Sequence, residues 1–151
     1  MNPPILALDM AGLCGVAHSD GYIDEWQVSQ QKDDPKSLRL LRLYQRLMDM
    51  RDTHPFAILG AEESAFGSPS GYVRSMHNEL LGVLKLVGVM TGCPVYLYKP
   101  TTIKKFATGN GRADKADVLL ACKKKLRLKT TSDNIADAAW VLELVKREAW
   151  K

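Results

Sequence analysis

The chain has 151 residues, of which 46% are hydrophobic and 25% charged, with a formal net charge of +4 and a pI of about 9.0. These values predict one globular domain over residues 1–151 and exclude disordered and fibrous proteins. No apolar run reaches the ~18 residues of a membrane span, and the first residues lack the basic and apolar segments of a signal peptide. Three widely spaced cysteines indicate free thiols, so we expect a cytoplasmic protein without a membrane partner.

The first third of the chain has the pattern of an antiparallel meander followed by a helix. Short apolar runs at residues 5–8 and 14–17 predict two strands, and Asp20-Gly21 predicts a hairpin turn into a third strand over residues 22–28. Apolar residues at near-helical spacing, with arginines between them, predict an amphipathic helix from about residue 35 to 52. His54-Pro55 ends this helix.

The rest of the chain alternates strands and helices. An apolar run over residues 56–61 predicts a strand that ends in two acids, and a long helix follows over about residues 72–91. Residues 94–98 predict a fifth strand, residues 100–108 a short helix and residues 113–125 another helix. A capping segment at residues 131–133 begins the last helix, which runs to about residue 150. This order predicts a mixed α/β sheet flanked by helices.

Basic residues are concentrated in one stretch, where only Asp114 and Asp117 oppose them. Its members are Lys99, Lys104, Lys105, Arg112, Lys115, Lys123, Lys124, Lys125, Arg127 and Lys129. A one-sided cluster of this kind is expected for phosphate binding. For residues 123–125 taken alone, a solvated helix face is the simpler interpretation.

Several acidic residues lie at the ends of predicted strands and at the start of the last predicted helix, where folding does not require an acid. Asp9 ends the first strand, Glu62 and Glu63 end the fourth, and Asp133 and Asp137 share a face at the start of the last helix. Each acid alone also fits an ordinary turn, cap or first-turn position. If the first and fourth strands are neighbours, their acids approach each other, and the last helix can add its own.

Three or four converging carboxylates repel one another unless a cation joins them. Hard oxygen ligands select Mg²⁺ or Mn²⁺. Two such ions ~3.5–4 Å apart activate water and stabilise the leaving oxygen in phosphodiester cleavage. The joint pattern of acids therefore favours a metal-dependent site for phosphodiester hydrolysis.

Four segments, in this order, resemble motifs of the RuvC family of Holliday junction resolvases, including its phage-borne members. They are ILALDMAGLCGVA (5–17), ILGAEES (58–64), KPTTIKKFATGNGRADK (99–115) and SDNIADA (132–138). The resemblance implies a ribonuclease H-like fold with a mixed five-stranded sheet, three strands antiparallel and then two parallel. It also implies a homodimeric, Mg²⁺-dependent endonuclease that cuts four-way junctions or other branched DNA in a bacterial or phage-infected cell.

The same resemblance implies a ligand set for two Mg²⁺ ions, with Mn²⁺ able to substitute. The predicted metal and catalytic acids are Asp9, Glu62, Asp133 and Asp137, with Glu63 and Asn134 as alternates. For the acid of the fourth strand, the phage-type pattern of a hydrophobic strand before two acids favours Glu62. Counting back from Phe66 in the following loop favours Glu63. Bacterial resolvases have an acid or a histidine where this chain has Asn134. We therefore prefer Asp133, one residue earlier, as the fourth ligand.

Basic residues complete the predicted site. By motif position, Lys104 and Lys115 resemble the family's lysines near the scissile phosphate, where they would stabilise developing charge, and Lys115 is predicted to be catalytic. Contact that affects only affinity is the alternative. Lys105 and Arg112 are further predicted DNA contacts, and Phe66 is predicted either to stack at the branch point or to pack in the core.

The predicted helix over residues 72–91 is the candidate dimer interface, with a core role as the alternative. Two other functions stay open from sequence. One is an RNA-processing nuclease of the same fold, and the other is a branched-DNA-binding protein with weak or no cleavage, which the neutral residue Asn134 would suit.

Overall fold

A computed structural model of the chain describes residues 1–63 and 71–151. Its strands are β1 (Ile5–Asp9), β2 (Leu13–His18), β3 (Ile23–Gln27), β4 (Ile58–Glu62) and β5 (Val95–Tyr98). Its α-helices are α1 (Leu38–Thr53), α2 (Gly71–Thr91), α3 (Pro100–Thr108), α4 (Lys115–Ala121) and α5 (Asp133–Ala149). No helix of these residues is long and apolar enough to cross a membrane.

The five strands form one mixed sheet in the order β3-β2-β1-β4-β5. The β1–β2 and β2–β3 pairs are antiparallel, and the β1–β4 and β4–β5 pairs are parallel. This confirms the predicted arrangement of three antiparallel strands followed by two parallel ones. Leu8 lies opposite Ala61 in the β1–β4 ladder, so Asp9 and Glu62 follow at the same edge of the sheet.

Hydrophobic residues cover both faces of the sheet. On one face Ile5 and Ala7 of β1 pack in the cluster that includes Trp140 of α5. On the other face Leu6 and Leu8 pack in the cluster built from α1 and α2. Alternate residues of a strand point to opposite faces of the sheet. The side chain of Asp9 therefore lies on the same face as those of Ile5 and Ala7, the face that α5 covers.

Two glycines allow α5 to lie against the sheet. A Cβ atom at Gly15 of β2 would stand 1.9 Å from the carbonyl oxygen of Asn134, and one at Gly60 of β4 would stand 2.6 Å from a methyl carbon of Val145. Any side chain at Gly15 would push the first turn of α5 away from the sheet. The closeness of this turn to β2 determines where the acids of α5 lie.

Two helix boundaries differ from the prediction. Helix α1 begins at Leu38 and not near residue 35, because Ser37 adopts a left-handed conformation with φ 66°. The helix predicted over residues 113–125 begins at Lys115, where Asp114 and Asp117 form a capping box, and it widens into a π-helical turn over Cys122–Leu126. The π-helical turn keeps the thiol of Cys122 buried while the three lysines that follow it are exposed.

Candidate active site

A pocket of about 510 Å³ opens at the edge of the sheet where β1 and β4 end. It is bounded by those two strands and by α2, α3, α4 and α5. Its charged and polar lining residues are Asp9, Glu62, Arg74, His77, Lys104, Lys115, Asn134 and Asp137. The structure therefore brings together three of the four predicted acids and both predicted catalytic-site lysines.

The three acids of the pocket come from three separate elements and disfavour each other's charged forms. Burial raises the pKa of Asp9 well above its usual value, and the charges of Asp137 and Glu62 raise it further. Burial, together with the charge of Asp137, raises the pKa of Glu62 to about 7. Burial and the charge of Asp133 raise the pKa of Asp137 to about 6. Buried like charges of this kind are typical of functional sites.

The donor chemistry of this pocket fits a hard divalent cation. Carboxylate oxygens are the ligands that Mg²⁺ and Mn²⁺ prefer, and a cation would neutralise the repulsion among the three acids. Across residues 1–63 and 71–151, however, no group of three or more His, Cys, Asp or Glu side chains could hold a metal ion as it stands. Mutual repulsion favours separation of the carboxylates, so a bound cation would have to draw them together.

Glu62, the last residue of β4, and Glu63, which follows it, point to opposite faces of the sheet. Glu62 shares the α5 face with Gly60 and lines the pocket. Glu63 is the next residue and is not part of the pocket lining, and its backbone N–H donates to the carbonyl oxygen of Tyr98 at 2.9 Å. The geometry thus favours Glu62 as the acid that faces Asp9.

Two residues at the start of α5, Asp133 and Asn134, are the candidates for the fourth metal ligand. Ser132 is the N-cap of this helix and accepts from the backbone N–H of Ile135 at 3.1 Å, which leaves the side chain of Asp133 available. The carboxylate of Asp133 lies 3.4 Å from the Nζ of Lys115. Asn134 lines the pocket, whereas Asp133 does not.

The remaining predicted DNA contacts lie around the pocket. The side chain of Lys115 is 81% exposed at its mouth, and that of Lys104 is partly buried. Lys105 and Arg112 are exposed and do not line the pocket. Phe66 lies outside the described residues, so its predicted contact with DNA stays a prediction.

Two further residues line the pocket that the sequence did not predict as site residues. Arg74 and His77 stand one turn apart on α2, next to the apolar residues Met76 and Leu80 that pack in the core. Both ring nitrogens of His77 face carbonyl oxygens at the ends of β1 and β4. The only signal in the sequence was a polar pair at helical spacing beside an apolar stripe, a pattern that surface helices commonly have.

Known proteins share this sequence pattern and this fold. The profile of the family described as crossover junction endodeoxyribonuclease RuvC matches residues 13–143. The RuvC protein of Rhodopirellula baltica is 30% identical over 115 residues, an alignment that covers 74% of this chain and 64% of that protein. The RuvC protein of Corynebacterium efficiens is 35% identical over 115 residues, covering 75% of this chain and 50% of that protein. The chain thus matches about half to two thirds of the length of these relatives.

A solved structure of Thermus thermophilus RuvC in complex with a Holliday junction substrate superposes with a TM-score of 0.75 at 21% identity. The superposition covers 92% of this chain and 90% of that one. This likeness confirms the predicted ribonuclease H-like fold. The family match over residues 13–143, most of the chain's length, shows that the chain belongs to the RuvC family.

Proposed function

We propose that this chain is a divalent-metal-dependent endodeoxyribonuclease that cuts Holliday junctions or other branched DNA, with residues 1–151 forming a single nuclease domain. The observation on which this proposal rests is the meeting of Asp9, Glu62 and Asp137, from three separate elements, in one pocket bordered by lysines. The names of the matched relatives, and the junction bound by the Thermus protein, support the choice of branched DNA as substrate.

The three acids would hold two Mg²⁺ ions, for which Mn²⁺ would substitute. When bound, these ions would supply an activated water and neutralise the charge of the leaving oxygen. Asp9 and Glu62 would contribute ligands from the sheet, and Asp137 would contribute a ligand from α5. Asp133 and Asn134 are the two candidates for the fourth ligand, because they stand four and three residues before Asp137 on the same helix, about one turn away.

The lysines would hold the phosphate to be cut. Lys104 and Lys115 border the pocket beside the acids, so their ammonium groups can stabilise the charge that develops on the phosphate. The ammonium group of Lys115 also lies 3.4 Å from the carboxylate of Asp133, and both side chains are accessible to solvent. Lys105, Arg112 and Phe66 would contact the DNA outside the reacting phosphate, where they affect affinity.

Cleavage of a synthetic four-way junction tests the proposal, with an RNA junction of matched sequence run alongside. In Mg²⁺ we expect cleavage of the DNA junction by the wild-type chain. Asp9→Asn should reduce the cleavage rate at least about a hundredfold. Loss of a residue that only orients a metal ligand costs up to about a hundredfold, and Asp9 would itself be a ligand. Junction binding should persist in the variant, since the phosphate contacts remain.

The paired acids of β4 offer a matched control. Glu62→Gln removes a carboxylate from the pocket, and Glu63→Gln makes the same change one residue away, outside the pocket lining. Only the first should abolish cleavage. Equal activity of both variants, undiminished cleavage by Asp9→Asn in a clean preparation, or preferential cleavage of RNA would refute the proposal.

We also propose that the chain forms a homodimer through the outward face of α2. Leu86, Val89 and Met90 cluster near the end of this helix, and they are 54%, 83% and 53% exposed. Adjoining exposed apolar side chains on a helix are typical of an interface. Val89→Lys should therefore convert a dimer to a monomer in sedimentation, whereas Leu120→Lys, a matched change at the exposed Leu120 of α4, should not. A monomeric wild-type chain would refute this.

A further inference from the structure

His77 of α2 bridges the two strands that bear the acids of the sheet. Its Nδ1 lies 3.1 Å from the carbonyl oxygen of Met10, directly after β1. Its Nε2 lies 3.2 Å from the carbonyl oxygen of Glu62, the last residue of β4. A carbonyl oxygen only accepts hydrogen bonds, and a neutral imidazole has one N–H. The neutral ring therefore donates to one of these two oxygens, and the doubly protonated ring donates to both. The ring touches the backbone beside both acids and comes from the face of the sheet opposite α5.

The bridge lies where the sheet itself stops holding the two strands together. The ladder between β1 and β4 ends at the pair Leu8 and Ala61, one residue before the acids. On its other side β4 stays paired to β5 as far as Glu62 and Tyr98. On its own other side β1 stays paired to β2 as far as Asp9 and Gly15. Past Leu8 and Ala61, the imidazole contacts both strand ends where their direct pairing has stopped.

We propose that His77 is a positioning residue that fixes the separation of the backbone segments bearing Asp9 and Glu62, and thereby sets the affinity of the pocket for a divalent cation. The inference rests on the proposed metal-dependent function. The two acids repel each other, which favours spreading of the strand ends that bear them, and the direct β1–β4 pairing stops one residue before each acid. A ring held by the rigid packing of α2, whose Met76 and Leu80 are in the core, resists that spreading.

Binding of Mn²⁺ to the whole chain without DNA, measured by titration calorimetry, tests this role directly. His77→Ala should weaken Mn²⁺ binding about tenfold or more, the scale for losing a group that orients metal ligands. His77→Gln should stay close to wild type, because its amide group has two N–H donors for the two carbonyl oxygens. Asn78→Ala, an exposed change on the same helix, is the matched control and should bind Mn²⁺ as the wild type does.

The outcomes separate this inference from the proposed function. If the wild-type chain binds no Mn²⁺, both proposals fall. If the wild-type chain binds Mn²⁺ and His77→Ala binds it equally well, or if His77→Gln is as impaired as His77→Ala, the positioning role alone is overturned. Should the alanine variant fail to fold, His77→Leu, which keeps the volume and removes both hydrogen bonds, replaces it in the same comparison and is read by the same criteria.

Discussion

The two ends of the sheet both gather ionisable side chains, but they differ in how the acids there are satisfied. At the end opposite the pocket, Asp20 lies 2.7 Å from the Nδ1 of His54 and 3.1 Å from the Nδ1 of His18. His54 also stacks on Tyr22 with ring centroids 4.2 Å apart, and the Nε2 of His18 lies 3.0 Å from the carbonyl oxygen of Pro55. The side chains of Asp20, His54 and His18 thus each contact a polar partner.

The difference appears in the acids themselves. Burial would raise the pKa of Asp20, but hydrogen bonds from His54 and the backbone N–H of Tyr22 outweigh it and lower the pKa. In the pocket, burial and neighbouring acids raise the pKa of Glu62 to about 7 despite the lysines nearby. A cluster that satisfies its own charges stabilises a fold, whereas one that needs an external cation indicates a site.

The largest effect is expected from breaking the contact that brings α5 to the pocket. Gly15→Ala would place a methyl group 1.9 Å from the carbonyl oxygen of Asn134, so α5 and Asp137 must move. We expect cleavage to be lost and the free energy of unfolding to fall by about 1–3 kcal/mol. Urea denaturation and junction cleavage measure the two effects. Gly82→Ala, in open space on α2, is the control, and equal behaviour of the two variants would contradict the close approach.

Removing a pocket lysine should affect rate more than affinity. Lys104→Met deletes a positive charge beside the acids, and we expect single-turnover cleavage to slow about a hundredfold, the scale for losing one group that stabilises developing charge. Lys124→Met, in the exposed π-helical turn, should change only junction affinity and its salt dependence. A Lys104→Met variant with weaker binding but an unchanged rate would mean that Lys104 only holds DNA.

The raised pKa values predict that the metal-free protein loses stability as pH rises. Glu62 titrates near 7 and Asp137 near 6 when folded, above their usual values, so the folded chain binds protons more tightly than the unfolded chain. The stabilisation from protonation is complete below the unfolded pKa values and is lost as pH rises through about 6–7. Asp20, with a lowered pKa, contributes in the opposite sense: its stabilisation is lost as pH falls.

Urea denaturation in EDTA between about pH 5 and pH 8 measures this dependence. Glu62→Gln should flatten the fall in stability, and saturating Mn²⁺ should restore stability at the upper end of the range. A stability that stays constant or increases with pH in the metal-free wild type would contradict the repulsion assigned to the pocket.

The smallest effect is expected at the compensated end of the sheet. Asp20→Asn should lower the free energy of unfolding by less than about 1 kcal/mol, because its side chain is 44% exposed and its hydrogen bonds compete with water. Junction cleavage should not change. A loss of cleavage with intact folding would show that this cluster is coupled to the pocket and would weaken the contrast between the two ends.

Much of the fold could be predicted from sequence because its signals are local. The run at residues 5–8 is apolar without alternation, as a strand covered on both faces requires, and Ile5 and Leu6 pack in opposite clusters. The π-helical turn at Cys122–Leu126 could not be predicted, because such turns are rare and occur as single turns within α-helices, whose apolar periodicity dominates the sequence pattern.

The sequence by itself determined that acids end the first and fourth strands and begin the last helix, because strand and helix periodicities are local properties of the chain. Only the tertiary structure decided that Glu62 and not Glu63 lines the pocket, since successive strand residues face opposite sides and the burial of the sheet selects the side. It also decided that His77 reaches both strand ends. Contacts between residues far apart in sequence leave no periodic trace, so packing alone assembles them.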